Sequence, residues 1–477
     1  MESPADVTKD RFMKPPRIRC LPLSLALVAI SLPAFAQTGI AAPIASPAAA
    51  VPVAVAGQLK SPKNVIVMIG DGMGFNQLDA AGLYRYGTSA AQVAVDASTG
   101  AIVRAPGTHV PELAAADVKL AVRTTQYGAS YDPAKAWASF GYVLKNPTDS
   151  AAAATAMATG VKTDNGAIGV DPNNKLVENL SELAIRTRRS AGVVTSVPIS
   201  HATPAGFTVH ESSRNSYQAI ARDQLRSNLS VVMGAGNPWY TDNNKLRRSA
   251  KYTYLYKSDY QKLKDRKSGF TYLASKASFD KLTKGTAPKR VFGLARVAST
   301  LQQKRSGTTS KTGAKRNAVP SLATMTKGAL NVLDADRDGF FVMIEGGAID
   351  WANHANQKGR LVEETSDFLQ AIAAVNTWVQ TKSSWDETLL IVTADHESGY
   401  LTDDRADPDW TMLTGRKGSV PDMSWHTRDH TSQLVPFYAR GSAAPAFTDA
   451  VVGQDPVRGA YLDNTSIQKV VAGLWLR

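Results

Sequence analysis

The stretch Phe340-Phe-Val-Met-Ile-Glu-Gly-Gly-Ala-Ile-Asp-Trp-Ala-Asn-His354 decides the fold. Its first five residues are apolar without interruption, the pattern of a strand buried on both faces. Glu345 ends the run, two glycines turn the chain, and Asp350 and His354 follow four residues apart. That spacing puts both on one face of a helix, where they can reach one ion. Glu345, at the strand end, is an oxygen donor suited to a harder cation.

The same alternation continues on either side. Apolar, β-rich runs occur at Val65–Ile69, Gly192–Val197, Val231–Met233 and Thr388–Thr393, and again at Leu434–Tyr438, where Pro436 reads as an edge strand. Helical periodicity lies between them: Phe368, Ile372, Val375 and Val379 share one face, as do Leu322, Met325, Ala329 and Leu333. The pattern predicts a three-layer α/β/α sandwich around a mostly parallel central sheet. Such sheets bind ligands at the carboxyl ends of their strands.

The chain's 477 residues, 43% hydrophobic and 20% charged, suffice for one large α/β domain or about three smaller ones, and exclude a disordered or fibrous protein. Cys20 is the only cysteine, which excludes a disulfide framework and a cysteine-rich zinc module. Any metal must therefore be held by carboxylates and the seven histidines.

Residues 1–36 read as an export signal. Lys14, Arg17 and Arg19 precede the apolar run Leu21 to Ala36, which ends in Ala34-Phe35-Ala36. Acids at Glu2, Asp6 and Asp10 are foreign to such a leader, so translation is expected to start at Met13. Residues 37–62, rich in Ala, Pro and Val, read as a flexible linker, and 63–477 as the folded domain that carries the motifs below. No later segment is apolar enough to span a membrane, so the expected location is periplasmic or secreted.

The net charge of +13 is concentrated in one place: residues 245–316 hold 20 lysines and arginines against Asp259, Asp265 and Asp280. This basic insertion, about 245–318, reads first as a solvated surface segment and second as an anion-steering collar. No nucleic-acid-binding motif accompanies it.

Four further segments carry chemistry. Asp71 follows the first strand into Gly72-Met73-Gly74, where its carboxylate can approach a metal. Thr148-Asp149-Ser150 opens an alanine-rich helix that stops at Gly160, so Thr148 or Asp149 caps it and Ser150 sits in a first turn that favours anions. Asp395-His396-Glu397-Ser398-Gly399 follows the Thr388–Thr393 run, and both Asp395 and His396 can reach one ion only from a turn. His426-Thr-Arg-Asp-His430-Thr431 offers another imidazole before the Leu434 run. A rival motif, Asp334-x-Asp336-x-Asp338-Gly339 with Glu345 at its twelfth position, fits a calcium loop. The buried strand expected at 340–344 argues against it, leaving only calcium on the Asp334–Asp338 turn open.

These segments resemble the alkaline phosphatases. The likeness rests on Val67 to Gly74, Thr148 through Thr163, His201-Ala-Thr203-Pro-Ala-Gly206, Glu345 through His354, Asp395 to Gly399, and His430-Thr431, all in the family's order. It implies two zinc ions and one magnesium: Asp350, His354 and His430 on the first zinc, and Asp71, Asp395 and His396 on the second. Asp71, Thr203 and Glu345 would serve the magnesium. Ser150 would be the nucleophile and Arg214 the phosphate clamp, with Asp149, His201 and Trp351 in supporting positions; the enteric-bacterial form has Asp and Lys at the last two. His430 is preferred over His426 because Thr431 and Ser432 lead into a strand as in the family, while His109 and His210 read as packing residues. The expected substrates are small phosphate monoesters, with no nucleic-acid partner and a homodimer open. Two alternatives stand beside this: a phosphodiesterase or nucleotide pyrophosphatase of the same superfamily, and a non-catalytic phosphate- or metal-binding protein.

Overall fold

The apolar runs become strands because each fills a two-sided interior. In the computed structural model, which describes residues 59–313, 315–403 and 410–477, every residue of Asn64–Gly70 (β1) is buried. The proposed leader, the Met13 start and nearly all of the linker lie outside the described residues. The other strands of the main sheet are Val118–Arg123 (β2), Ser190–Pro198 (β3), Val231–Ala235 (β4), Thr271–Leu273 (β5), Val291–Leu294 (β6), Phe340–Gly346 (β7), Thr388–Thr393 (β8), Val435–Arg440 (β9), Val451–Asp455 (β10) and Gly459–Asp463 (β11). Their order across the eleven-stranded sheet is β10-β11-β2-β9-β8-β1-β7-β3-β4-β6-β5. All neighbours are parallel except where β9 and β10 run the other way. The mostly parallel α/β architecture expected from the sequence is therefore present.

Pro436 does not mark an edge. β9 lies between β8 and β2, antiparallel to both. Its ladder with β8 covers only Tyr438 to Arg440, and at Pro436 the carbonyl instead accepts from the Thr393 hydroxyl at 2.8 Å. Within a strand, N–H and C=O of one residue point to the same side. The missing proline donor thus faces the flank where no backbone partner needs it.

Helices cover the sheet in two packed groups. One contains Phe75–Tyr86 (α1), Leu322–Leu333 (α2), Ala348–His354 (α3) and Lys358–Lys382 (α4). In the other, Ser150–Thr159 packs against Ala202–Gly206 and against the C-terminal helix Ser466–Trp475. The two helical stripes read from the sequence are buried, with Phe368, Ile372, Leu322 and Met325 all at most 1% exposed. Gly160, left-handed at φ 73°, closes the Ser150 helix. A Cβ there would lie 2.5 Å from Gln468 Oε1. The far end of the Ser150 helix therefore abuts the C-terminal helix without slack.

The basic insertion is more than a surface segment. It supplies β5 and β6, which extend the sheet through buried Val291, Phe292 and Leu294 and through Phe270 and Phe279 beneath them. Residues 340–346 form a fully buried strand, so Glu345 points into the protein and no calcium-loop helix follows Gly339.

The central order β8-β1-β7-β3 is what positions the site. These four adjacent strands are parallel, and Ile69 is in register with both Thr393 and Glu345, as Glu345 is with Thr195. Their carboxyl ends deliver Asp395, Asp71, Glu345 and the His201–Thr203 segment to one rim.

Candidate active site

Ser150 is the first residue of its helix because Asp149 caps it: Asp149 Oδ1 accepts from the Ala152 N–H at 2.9 Å. The Ala151–Ala154 run then carries the helix with little side-chain entropy to lose. The Ser150 hydroxyl is buried and lies 3.1 Å from His396 Nε2. His396 Nε2 is also 3.2 Å from Asp395 Oδ2 and 3.5 Å from Asp71 Oδ1. These three side chains form one convergent group, and Asp350, His354 and His430 form a second. In the second, His354 Nε2 lies 3.2 Å from both Asp350 Oδ1 and His430 Nε2, and His430 Nε2 lies 3.5 Å from that carboxylate oxygen.

Outer hydrogen bonds set the tautomers. His430 Nδ1 donates to the Thr148 carbonyl at 2.8 Å, and His354 Nδ1 donates to the Arg428 carbonyl. Ser398 Oγ donates to Asp350 Oδ1 at 2.6 Å, so it accepts from His396 Nδ1 at 3.3 Å. In the neutral rings every Nε2 lone pair then faces inward, the arrangement found in metal-ligating histidines.

The buried carboxylates are short of partners. Both oxygens of Asp71, Asp395 Oδ2, Glu345 Oε1 and Thr203 Oγ1 are buried without a hydrogen-bond partner. Burial and the neighbouring charges of Asp395, Asp350 and Glu345 push Asp71 far above the usual carboxylate range. Burial lifts Asp395 to about 6 and Glu345 to about 7, the latter against the bond it accepts from Thr195. Burial acts against Asp350 as well, but the bond from His354 and the imidazoles of His430, His354 and His396 hold it well below its ordinary value. Burial lowers His354, yet the Asp350 bond and charge outweigh it and raise it to about 9. Isolated buried carboxylates are tolerated only when protonated or paired with a cation. The donor set thus fits bound metal: nitrogen-rich at the first group, mixed at the second, and oxygen-only for Asp71, Thr203 and Glu345.

Arg214 NH1 donates to Asp149 Oδ2 at 2.8 Å, which brings its guanidinium to the mouth of the site. Ser150, Arg214, Asp350, His354 and His430 line a cavity of about 560 Å³, with Trp351 and His201 on its wall. His201 packs edge-on to Trp351 at 5.4 Å, and burial together with the Arg214 charge presses it down to about 3.

This chain belongs to the alkaline phosphatase family. The alkaline phosphatase family profile matches residues 138–412. Among relatives, alkaline phosphatase 4 of Bacillus subtilis (strain 168) is 34% identical over 263 residues, 54% of this chain and 50% of that protein. Alkaline phosphatase 3 of the same organism is 32% identical over 346 residues, 71% of this chain and 61% of that protein. The chain thus matches only half to three-fifths of the length of these two relatives. The cold-active alkaline phosphatase of Shewanella sp. superposes with a TM-score of 0.59 at 26% identity, covering 86% of this chain and 99% of that one. No helix among the described residues is long and apolar enough to cross a membrane.

The structure brings Asp71, Asp395 and His396 into one group and Asp350, His354 and His430 into another, with Ser150, Arg214, His201 and Trp351 lining the adjoining cavity. His426 is elsewhere, its Nε2 2.5 Å from the Thr402 hydroxyl and its ring packed on Phe140 and Tyr400. His210 bonds the Gly169 carbonyl and Glu182, and His109 the Tyr438 hydroxyl. Two residues escaped the sequence reading. Ser398 bridges the two groups, and its place inside the Asp395–Gly399 motif was the available signal. Asn353 donates to the Gly72 carbonyl at 3.1 Å and accepts from Trp425 at 2.8 Å, locking the Asp71 turn to α3. Nothing in its spacing announces that role.

Proposed function

We propose that the protein hydrolyses phosphate monoesters to an alcohol and inorganic phosphate through a phosphoseryl intermediate on Ser150, with two zinc ions and one magnesium. Asp350, His354 and His430 would hold the first zinc, Asp71, Asp395 and His396 the second, and Asp71, Thr203 and Glu345 the magnesium. When bound, these cations supply Lewis acidity, lowering the pKa of the serine hydroxyl and of water and offsetting charge on the departing oxygen.

The chain's own groups do the rest. The first turn of the Ser150 helix presents backbone N–H groups and the positive end of its dipole to a phosphoryl group. Arg214 grips two equatorial oxygens with its planar fork, and Asp149 fixes its direction. The Ser150 oxygen bonds to phosphorus as the alcohol's P–O bond breaks. A water oxygen then bonds to phosphorus, the bond to Ser150 breaks, and phosphate leaves.

The observation that carries this reading is the Ser150 hydroxyl 3.1 Å from His396 Nε2, at a helix N-terminus beside unpartnered buried carboxylates. The test is elemental analysis together with hydrolysis of a simple aryl phosphate, before and after chelation. Activity that survives complete metal removal would overturn it. Ser150→Ala is expected to abolish phosphate release while metal content stays intact. A diester turned over faster than its monoester would move the activity to the phosphodiesterase alternative. Export rests on the sequence of residues 14–36 and is tested by cell fractionation.

A further inference from the structure

Of the 20 lysines and arginines between 245 and 316, one lines the reaction cavity: Lys304. It stands exposed between two buried, bonded neighbours. On one side, the Gln303 amide donates to the Trp351 carbonyl at 3.4 Å and to Gln357 Oε1 at 3.0 Å. On the other, the Arg305 guanidinium pairs with Glu363 at 2.8 Å and donates to the Lys315 and Gln302 carbonyls. The Lys304 N–H itself donates to Thr300 Oγ1 at 2.8 Å. The backbone that presents this lysine is therefore pinned to α3 and α4 from both sides.

Its ammonium lies 4.5 Å from the centroid of the Trp351 ring, within cation–π range. Among the described residues it has no salt-bridge partner, whereas Arg214 is tied to Asp149. The two cations of the cavity are thus prepared differently, one oriented by a carboxylate and one free to meet an anion.

In-line displacement assigns them different targets. The attacking and leaving oxygens stand on opposite sides of phosphorus. Ser150 attacks from beside His396, so the leaving group departs on the side of Asp350 and His354. Trp351, next to Asp350 in α3, and Ala355, next to His354, line the same cavity, and Lys304 lies over Trp351.

We propose that Lys304 is a specificity-determining residue that favours phosphate monoesters whose leaving group carries a second negative charge. The proposal rests on the phosphomonoesterase reading above. Trp351 offers the flat apolar face for the body of such a group, and Lys304 the counter-charge.

The test compares 4-carboxyphenyl phosphate with its neutral carboxamide analogue on the metal-replete full chain. The readout is the ratio of their kcat/KM values, in which differences common to both substrates cancel. Lys304→Gln is expected to lower that ratio by about fivefold, chiefly through KM of the carboxylate substrate, and Lys304→Arg to retain it. Added salt is expected to lower the ratio in the unaltered protein and to leave it flat in Lys304→Gln. A ratio that Lys304→Gln leaves unchanged overturns the proposal, as does an equal loss on both substrates. If the unaltered protein hydrolyses neither compound, it is the phosphomonoesterase reading that falls.

Discussion

Asp149 holds Arg214 with the oxygen it does not use for capping: Oδ1 takes the Ala152 N–H at 2.9 Å, and Oδ2 takes Arg214 NH1 at 2.8 Å. One carboxylate thus fixes both the helix that carries Ser150 and the Arg214 guanidinium beside it. Asp149→Ala is expected to cost about 1 kcal/mol of stability from the lost cap and to raise the inhibition constant for inorganic phosphate about tenfold. Asp149→Asn should keep most of the stability and still weaken phosphate binding. Denaturant midpoints and phosphate inhibition measure the two effects separately, and phosphate inhibition left unchanged by Asp149→Asn would show that the cap alone matters.

The two histidines of the His426–His430 segment have distinct surroundings. His430→Ala is expected to lose about one metal equivalent, because an imidazole of the first group is gone. His426→Ala removes a bond to Thr402 and should leave the metal content unchanged. Elemental analysis of the two purified variants decides between them.

Gly72 is a position where the site forbids a side chain. Its φ is 68°, and a Cβ would lie 2.7 Å from Ser398 Oγ and 2.9 Å from Asp350 Oδ1. Gly72→Ala should therefore destabilise the protein by about 2 kcal/mol or more and weaken metal retention at the Asp350 group. Unchanged metal content at an unchanged unfolding midpoint would contradict this packing.

Glu364 on α4 predicts a pH effect away from the site. It is buried with Oε1 unpartnered, and burial, then the charges of Asp367 and Glu363, raise it to about 8. A carboxyl raised in the folded state binds more protons folded than unfolded between about 4.5 and 8, so its contribution falls as pH climbs through that window. Glu364→Gln should remove that loss. It is expected to stabilise the protein at pH 9 by on the order of 2–4 kcal/mol and to change little at pH 5. Thermal melts at the two pH values, with metal held saturating, give the comparison.

Much of this architecture is legible in the sequence because burial on both faces leaves few choices. Phe340 to Ile344 and Val65 to Ile69 are apolar throughout, as a central parallel strand covered on both faces requires. The Ser150 helix is equally plain, with alanines running from an aspartate cap to a glycine stop. Pro436 misleads because a proline reports only a missing donor, and the sequence does not show that the neighbouring ladder has ended. Asp71, Glu345, Asp395 and His396 are legible as candidate ligands because each sits at or just past a strand end, whereas His430 comes before β9. Lys304 is not, since it is one of 20 similar charges and acquires its place only through Gln303 and Arg305. Asn353 is hidden for the same reason: its two partners come from distant turns.

The join between Gly160 and Gln468 has a consequence for how the reacting hydroxyl is aimed. The helix between Gly160 and Ser150 is a stiff rod about 15 Å long, and its tail rests on the last helix of the chain. An axial slip at that rear support would pass along the rod toward the Ser150 hydroxyl. The C-terminal helix is thus a rear sight for Ser150, and its Gln468 side chain sets how far back the rod can sit.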